Sequence, residues 1–177
     1  IKQTEAVPAI FKLDRNNYIN LSGLAVILDD KDITNQIKYN IEWSRGLPLG
    51  DDPLYALSNL FDGDDTTFAH SGRNATLAFS FDAFYGVDLD VTITNRTETG
   101  SNNENGRITG AKAWVEDSGG NYLTTAQYLT LKESGNRPEG TETYYFPIAV
   151  MFPAICKLYN PNSWLHPSEA VSYTHLT

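Results

Sequence analysis

The segment SNLFDGDDTTFAHSG, residues 58–72, sets three aspartates, two threonines and a histidine between hydrophobic anchors. Hard oxygen donors at this density suit calcium, and the surplus negative charge calls for a counterion. Asp62, Asp64 and Thr66 alternate as the first ligands of an EF-hand loop do. That register fails further on, because Thr67 occupies the sixth position, where Gly is required, and Arg73 the twelfth, where a bidentate Glu is required. Two readings of the segment remain. In one, a tight turn at Gly63 gathers oxygens of Asn59, Asp62 and Asp64 around calcium. In the other, the aspartates accept backbone N–H bonds in an Asx-turn.

A second group flanks the polar loop in TITNRTETGSNNENGRITGA. Arg96 and Arg107 stand at its two ends, and Glu98 can orient either guanidinium. Planar guanidinium forks are suited to donating hydrogen bonds to neutral sugar hydroxyls. The same residues read equally well as surface arginines paired with local acids, an arrangement worth little energy. Trp43, Tyr55, Phe68, Phe84, Tyr85 and Trp114 lie near loops or strand faces. Most aromatic side chains of a sandwich are core, but Trp114 is out of phase with Ala113 and Val115, so it and Lys112 point away from that face. No nucleophile elbow, zinc-protease motif or phosphate-binding loop occurs, so catalysis is not expected.

The elements that must hold these residues are strands. In VDLDVTIT, Val87, Leu89, Val91 and Ile93 share one face and Asp88, Asp90, Thr92 and Thr94 the other. IKYNIEW alternates likewise from Ile37 to Trp43, and TLAFSF places Leu77, Phe79 and Phe81 together. IFKL, LAVIL, AKAWV, YLTTAQYLTL and TYYFPIAVMF are further strand candidates. Turn signals such as RNN, DDKD, DGDD and EDSGGN separate them. Many short strands without helical crossovers predict an antiparallel all-β sandwich.

The chain has 177 residues and 41% hydrophobic content, enough for one sizeable core. Its formal charge of −9 opposes nucleic-acid and anionic-membrane partners and suits calcium or neutral glycans. No stretch reaches the roughly 20 apolar residues of a membrane span. Cys156 is the single cysteine, which rules out an intrachain disulfide and a Cys-based zinc site. Asn20, Asn74 and Asn95 begin acceptor sequons for glycosylation. The start, without Met or a signal-peptide hydrophobic region, reads as that of a mature or fragmentary product.

SNLFDGDDTTFAH, then VTITNR, then GRITGAKAWVEDSGGN resembles, in this order, the fucolectin (F-type lectin) and discoidin-like family of galactose-binding-like domains. The resemblance covers roughly residues 37–123. It implies an antiparallel jelly roll over 37–158, preceded by a strand region, 1–36, that completes this sandwich or an adjacent module. The remainder, 159–177, reads as an irregular tail whose last six residues, SYTHLT, look like a translated sequencing adaptor. The resemblance further implies sugar binding by Arg96, Arg107, Glu98 and His70, and a structural calcium held by Asn59, Asp62, Asp64 and Ser71. The expected function is that of a non-catalytic, lectin-like adhesion module, extracellular or displayed on a cell or virion surface. The competing expectation is a structural jelly-roll subunit of an extracellular filament, sheath or virion, in contact with copies of itself or neighbouring subunits.

Overall fold

The computed structural model describes residues 5–46, 53–96, 108–130 and 140–150. Ten strands and a short helix follow in chain order. They are β1 (Val7–Arg15), β2 (Asn20–Leu28), β3 (Lys31–Asp32), α1 (Thr34–Ile37), β4 (Ile41–Arg45), β5 (Ala69–His70), β6 (Ala75–Ala83), β7 (Asp88–Asn95), β8 (Lys112–Asp117), β9 (Gln127–Tyr128) and β10 (Thr141–Pro147). Two 3-10 turns, Pro53–Tyr55 and Leu57–Phe61, lie between β4 and β5.

Alternation builds the layers. In β1, Ala9, Phe11 and Leu13 are buried while Ile10, Lys12 and Asp14 face outward and are partly exposed. In β7, Leu89, Val91 and Ile93 are all fully buried. One sheet runs β4-β6-β1-β8-β9, and the other runs β10-β7-β2-β3 with β5 paired to β2. Every pairing is antiparallel. The protein is an all-β sandwich.

β1 and β2 are interior strands, β1 between β6 and β8 and β2 between β7 and β3. β1 and β2, from the N-terminal part of the described chain, therefore supply the middle of both sheets. In the core, Phe11 of β1 stacks on its cross-strand partner Phe79 at 4.8 Å. Phe11 also meets Phe146 of the opposite sheet edge-on at 5.5 Å, which ties the two layers together.

Turn chemistry closes the hairpins. Asp29 and Asp30, with φ of 51° and 65°, form the two-residue connection of β2 to β3, as DDKD suggested. Gly46 follows β4 at φ +76°, and a Cβ there would stand 2.7 Å from the Cα of Ala75, so backbone crowding and left-handed geometry both require glycine.

Two strand expectations need correction. In IKYNIEW, Ile37 is 1% exposed and Tyr39 80%, although alternation put them on one face. The Ile37 and Lys38 N–H groups donate to the Ile33 and Thr34 carbonyls at 3.0 and 3.2 Å and make a helical turn, and only residues from Ile41 onward are strand. In YLTTAQYLTL, only Gln127–Tyr128 forms strand. Leu123 and Leu129 each donate one backbone bond toward β8, and residues 124–126 between Leu123 and β9 are irregular.

Candidate functional site

The 53–71 segment lies over the start of β2 and is fastened there from both ends. Asn59 Nδ2 donates to the carbonyls of Pro53, Leu54 and Phe68 at 3.0–3.2 Å, which draws the two limbs together. Ser71 Oγ accepts the Ile19 N–H at 2.8 Å and donates to Gly72 O at 2.7 Å. Between these points, Asp62 Oδ1 accepts the Asp64 N–H and Asp64 Oδ1 the Thr66 N–H, each at 2.9 Å. Thr66 Oγ1 donates to Asp64 Oδ1 at 2.6 Å, and Thr67 Oγ1 to Asp62 Oδ2 at 2.5 Å. These bonds from Thr66 hold the Asp64 carboxyl below its ordinary pKa. Consecutive Asx-turns about Gly63, at φ +73°, thus account for the spacing of the aspartates.

The four residues assigned to calcium by resemblance are spread along this segment. Ser71 is fully buried, with its hydroxyl bonded to Ile19 and Gly72. Asn59 commits its Nδ2, which is no ligand for calcium, to three carbonyls, while Asp62 and Asp64 bond within the exposed turn between them. Among the described residues, no group of three or more His, Cys, Asp or Glu side chains is arranged to hold a metal.

Fastening the segment in this way brings His70 into an aromatic cluster. Its ring meets Tyr55 at 5.3 Å and Tyr18 at 5.5 Å, both edge-on, and Phe68 at 6.4 Å. His70 is 5% exposed. Its Nδ1 lies 2.7 Å from the Ser71 carbonyl and donates to it, because a carbonyl can only accept. Arg96, the residue after β7, lays its guanidinium 3.7 Å from the centroid of Phe68, well within cation–π range. His70 and Arg96, 26 positions apart, therefore meet through Phe68.

Two members of the cluster escaped the sequence reading. Arg73 sits over Tyr18 at 5.3 Å, with Nε 3.4 Å from the phenol oxygen. The only available signal was HSGRN, in which Asn74 at φ +54° turns the chain after Arg73. Glu98 and Arg107 lie outside the described residues, as does Cys156.

Beneath the cluster is unspent polarity. Asn20 is the ladder partner of His70 and is fully buried, and neither its Nδ2 nor its Oδ1 has a hydrogen-bond partner. Ser22 Oγ is in the same condition. An unsatisfied buried polar group costs about 1–3 kcal/mol, so such groups call for a reason. Asn20 and Asn95, at 0% and 1% exposure, have no room for a glycan in the folded chain, whereas Asn74 is exposed.

The other end of the sandwich is shaped differently. Two adjoining clefts of about 370 and 320 Å³ share Gln36, Phe81 and Asp82 in their walls. On the outer face of the second sheet, Asp90 stands opposite Ile27 and Tyr145, with Oδ1 buried and unpartnered. Burial, reinforced by Asp88 and Asp30, raises its pKa above the ordinary 3.8. The folded chain thus holds this proton more tightly than the unfolded chain, and ionising Asp90 costs stability. That cost is absent below the unfolded value and fully present above the raised folded one. Asp90→Asn is expected to raise the urea midpoint at neutral pH and to leave it unchanged at about pH 3. An equal gain at both pH values would show that the carboxylate charge is not the cause.

Comparison with known proteins returns no matching family model, no matching curated protein and no matching solved structure.

Proposed function

We propose that this chain is a non-catalytic, lectin-like glycan-binding module, built on a jelly roll of the galactose-binding-like kind and acting in adhesion outside the cell or on a cell or virion surface. The observation that carries the reading is the Arg96 guanidinium stacked on Phe68 beside His70. The contact holds the cation against Phe68 at the end of β7, and a guanidinium carries five N–H donors, more than a single partner uses, from which a sugar hydroxyl can accept. His70 is too enclosed to serve as the principal sugar contact; it shapes the aromatic wall that holds Phe68 in place. The net charge of −9 favours a neutral sugar over an anionic one. Arg107 and Glu98 enter this reading through the motif resemblance alone.

A shallow site of this kind binds weakly, and useful adhesion comes from several copies held together. Coupled to a multivalent scaffold, the protein is expected to give a glycan-array signal that free sugar competes away. Silence across the array from folded, multivalent protein would overturn the proposal and leave the structural-subunit reading.

The proposed binding does not call on calcium. Asp62 and Asp64 accept hydrogen bonds within the Asp62–Thr67 turn, which closes without an ion, so millimolar calcium or a chelator should leave the melting temperature unchanged to within about 2 °C. A calcium-dependent rise of several degrees would show that the loop holds the ion after all.

A further inference from the structure

The outer face of the first sheet carries an arrangement that the Arg96 site does not use. Ala113 and Val115 of β8 enter the core, both fully buried, so Lys112, Trp114 and Glu116 project from the opposite face. Trp114 stacks on Tyr122, with centroids 5.4 Å apart and planes 11° from parallel. The indole N–H donates to Glu116 Oε1 at 2.9 Å, and Glu116 Oε2 pairs with Lys12 Nζ of β1 at 3.2 Å. Lys112 Nζ donates to the Tyr122 hydroxyl at 3.0 Å and lies 5.0 Å from the Trp114 ring centroid. One ladder position along, Lys112 faces Tyr128, which is 64% exposed.

The orientation of the indole is therefore locked twice, by its stack on Tyr122 and by a carboxylate that is itself anchored to another strand. Tyr128 lies diagonally across the ladder from Trp114, a separation of about 7–8 Å at the backbone. The three rings form a strip along this margin of the sheet. Glu116 is paired with Lys12, and the Lys112 ammonium donates to the neutral phenol of Tyr122, so the surface offers oriented donors and acceptors beside the rings. Such a face suits a ligand that is apolar on its ring faces and hydroxylated around its rim. The net charge of −9 favours a neutral ligand of this kind over an anionic one.

We propose that the face bearing Trp114, Tyr122 and Tyr128 is a second glycan-binding surface, one that takes an extended neutral oligosaccharide. Successive pyranose rings lie against the aromatic strip, and their hydroxyls bond to Glu116, Lys112 and Lys12. The locked side chains lose little freedom on binding, which lowers the entropic cost of a shallow contact. This surface belongs to the first sheet and Arg96 follows the second, so either can fail without the other.

The test is a titration of the whole chain with cellohexaose, laminarihexaose and mannohexaose, read by tryptophan fluorescence and by calorimetry. At least one probe is expected to saturate. Trp114→Ala should abolish its binding, and Tyr128→Ala, at an exposed position that leaves the fold intact, should weaken it about tenfold. Tyr39→Ala, at another exposed aromatic, should bind as the unaltered protein does. The proposal is overturned if no probe saturates, or if Tyr128→Ala binds with unchanged affinity. A null titration alongside a positive glycan array would remove this surface and leave the Arg96 site standing.

Discussion

Phe11→Ala is expected to lower the unfolding free energy by about 3–5 kcal/mol, a large share of the roughly 5–15 kcal/mol that a folded domain possesses. Phe11 has no exposed surface, and its ring lies between the stacked partner Phe79 in its own sheet and the edge of Phe146 in the other. Truncation removes the side chain that joins the two layers and leaves a cavity that neither sheet can collapse to fill, because Phe11 pairs with rigid ladder on both sides. Urea denaturation followed by circular dichroism measures the loss. Tyr39→Ala, at 80% exposure, serves as the control and should change stability by less than about 0.5 kcal/mol. A Phe11→Ala loss below about 1 kcal/mol would contradict the packing described above.

Arg96→Ala should weaken glycan binding by about a hundredfold. Hydrogen bonds from a charged donor are worth about 1.5–3 kcal/mol each, and about 2.7 kcal/mol corresponds to a hundredfold change in affinity. Arg96→Lys separates charge from geometry. Lysine keeps the cation but loses the planar fork that Phe68 holds in place, so its affinity should fall about tenfold, between the other two. Dissociation constants for the best array ligand, measured on surface-immobilised glycan, report both variants. Affinity unchanged in Arg96→Lys would mean that Arg96 contributes only its charge. The urea midpoints of both variants must match the unaltered protein for the comparison to hold.

The strands were legible wherever burial of one face governs the local pattern. VDLDVTIT and TLAFSF fall within or beside β7 and β6, and the outward projection of Trp114 followed from its phase against Ala113 and Val115. IKYNIEW misled because its first residues close the helical turn Thr34–Ile37 through backbone bonds, so the alternation that Ile41 to Trp43 obey does not extend back to Ile37. YLTTAQYLTL supplied the β-branched and aromatic residues of a strand, but only two of its positions pair in a continuous ladder.

The site was less legible, for a related reason. The enclosure of His70 depends on Tyr18, Tyr55 and Phe68, which converge only after β5 pairs with β2, and no local spacing encodes that meeting. Asn20 looked like an accessible sequon because the triplet is local information, whereas its burial is set by β5, with its ladder partner His70 about 50 residues downstream. Arg96 was singled out because it stands at the end of a strand, and its contact with Phe68 was invisible until the fold placed the two together.

The central claim is that the Arg96 end of the sandwich binds neutral glycans. A glycan array probed with the multivalent protein and with multivalent Arg96→Ala, each confirmed as folded, tests it most directly. The account predicts a reproducible set of neutral glycans bound by the first and lost in the second. Equal binding by the two proteins, or no binding by either, would contradict it.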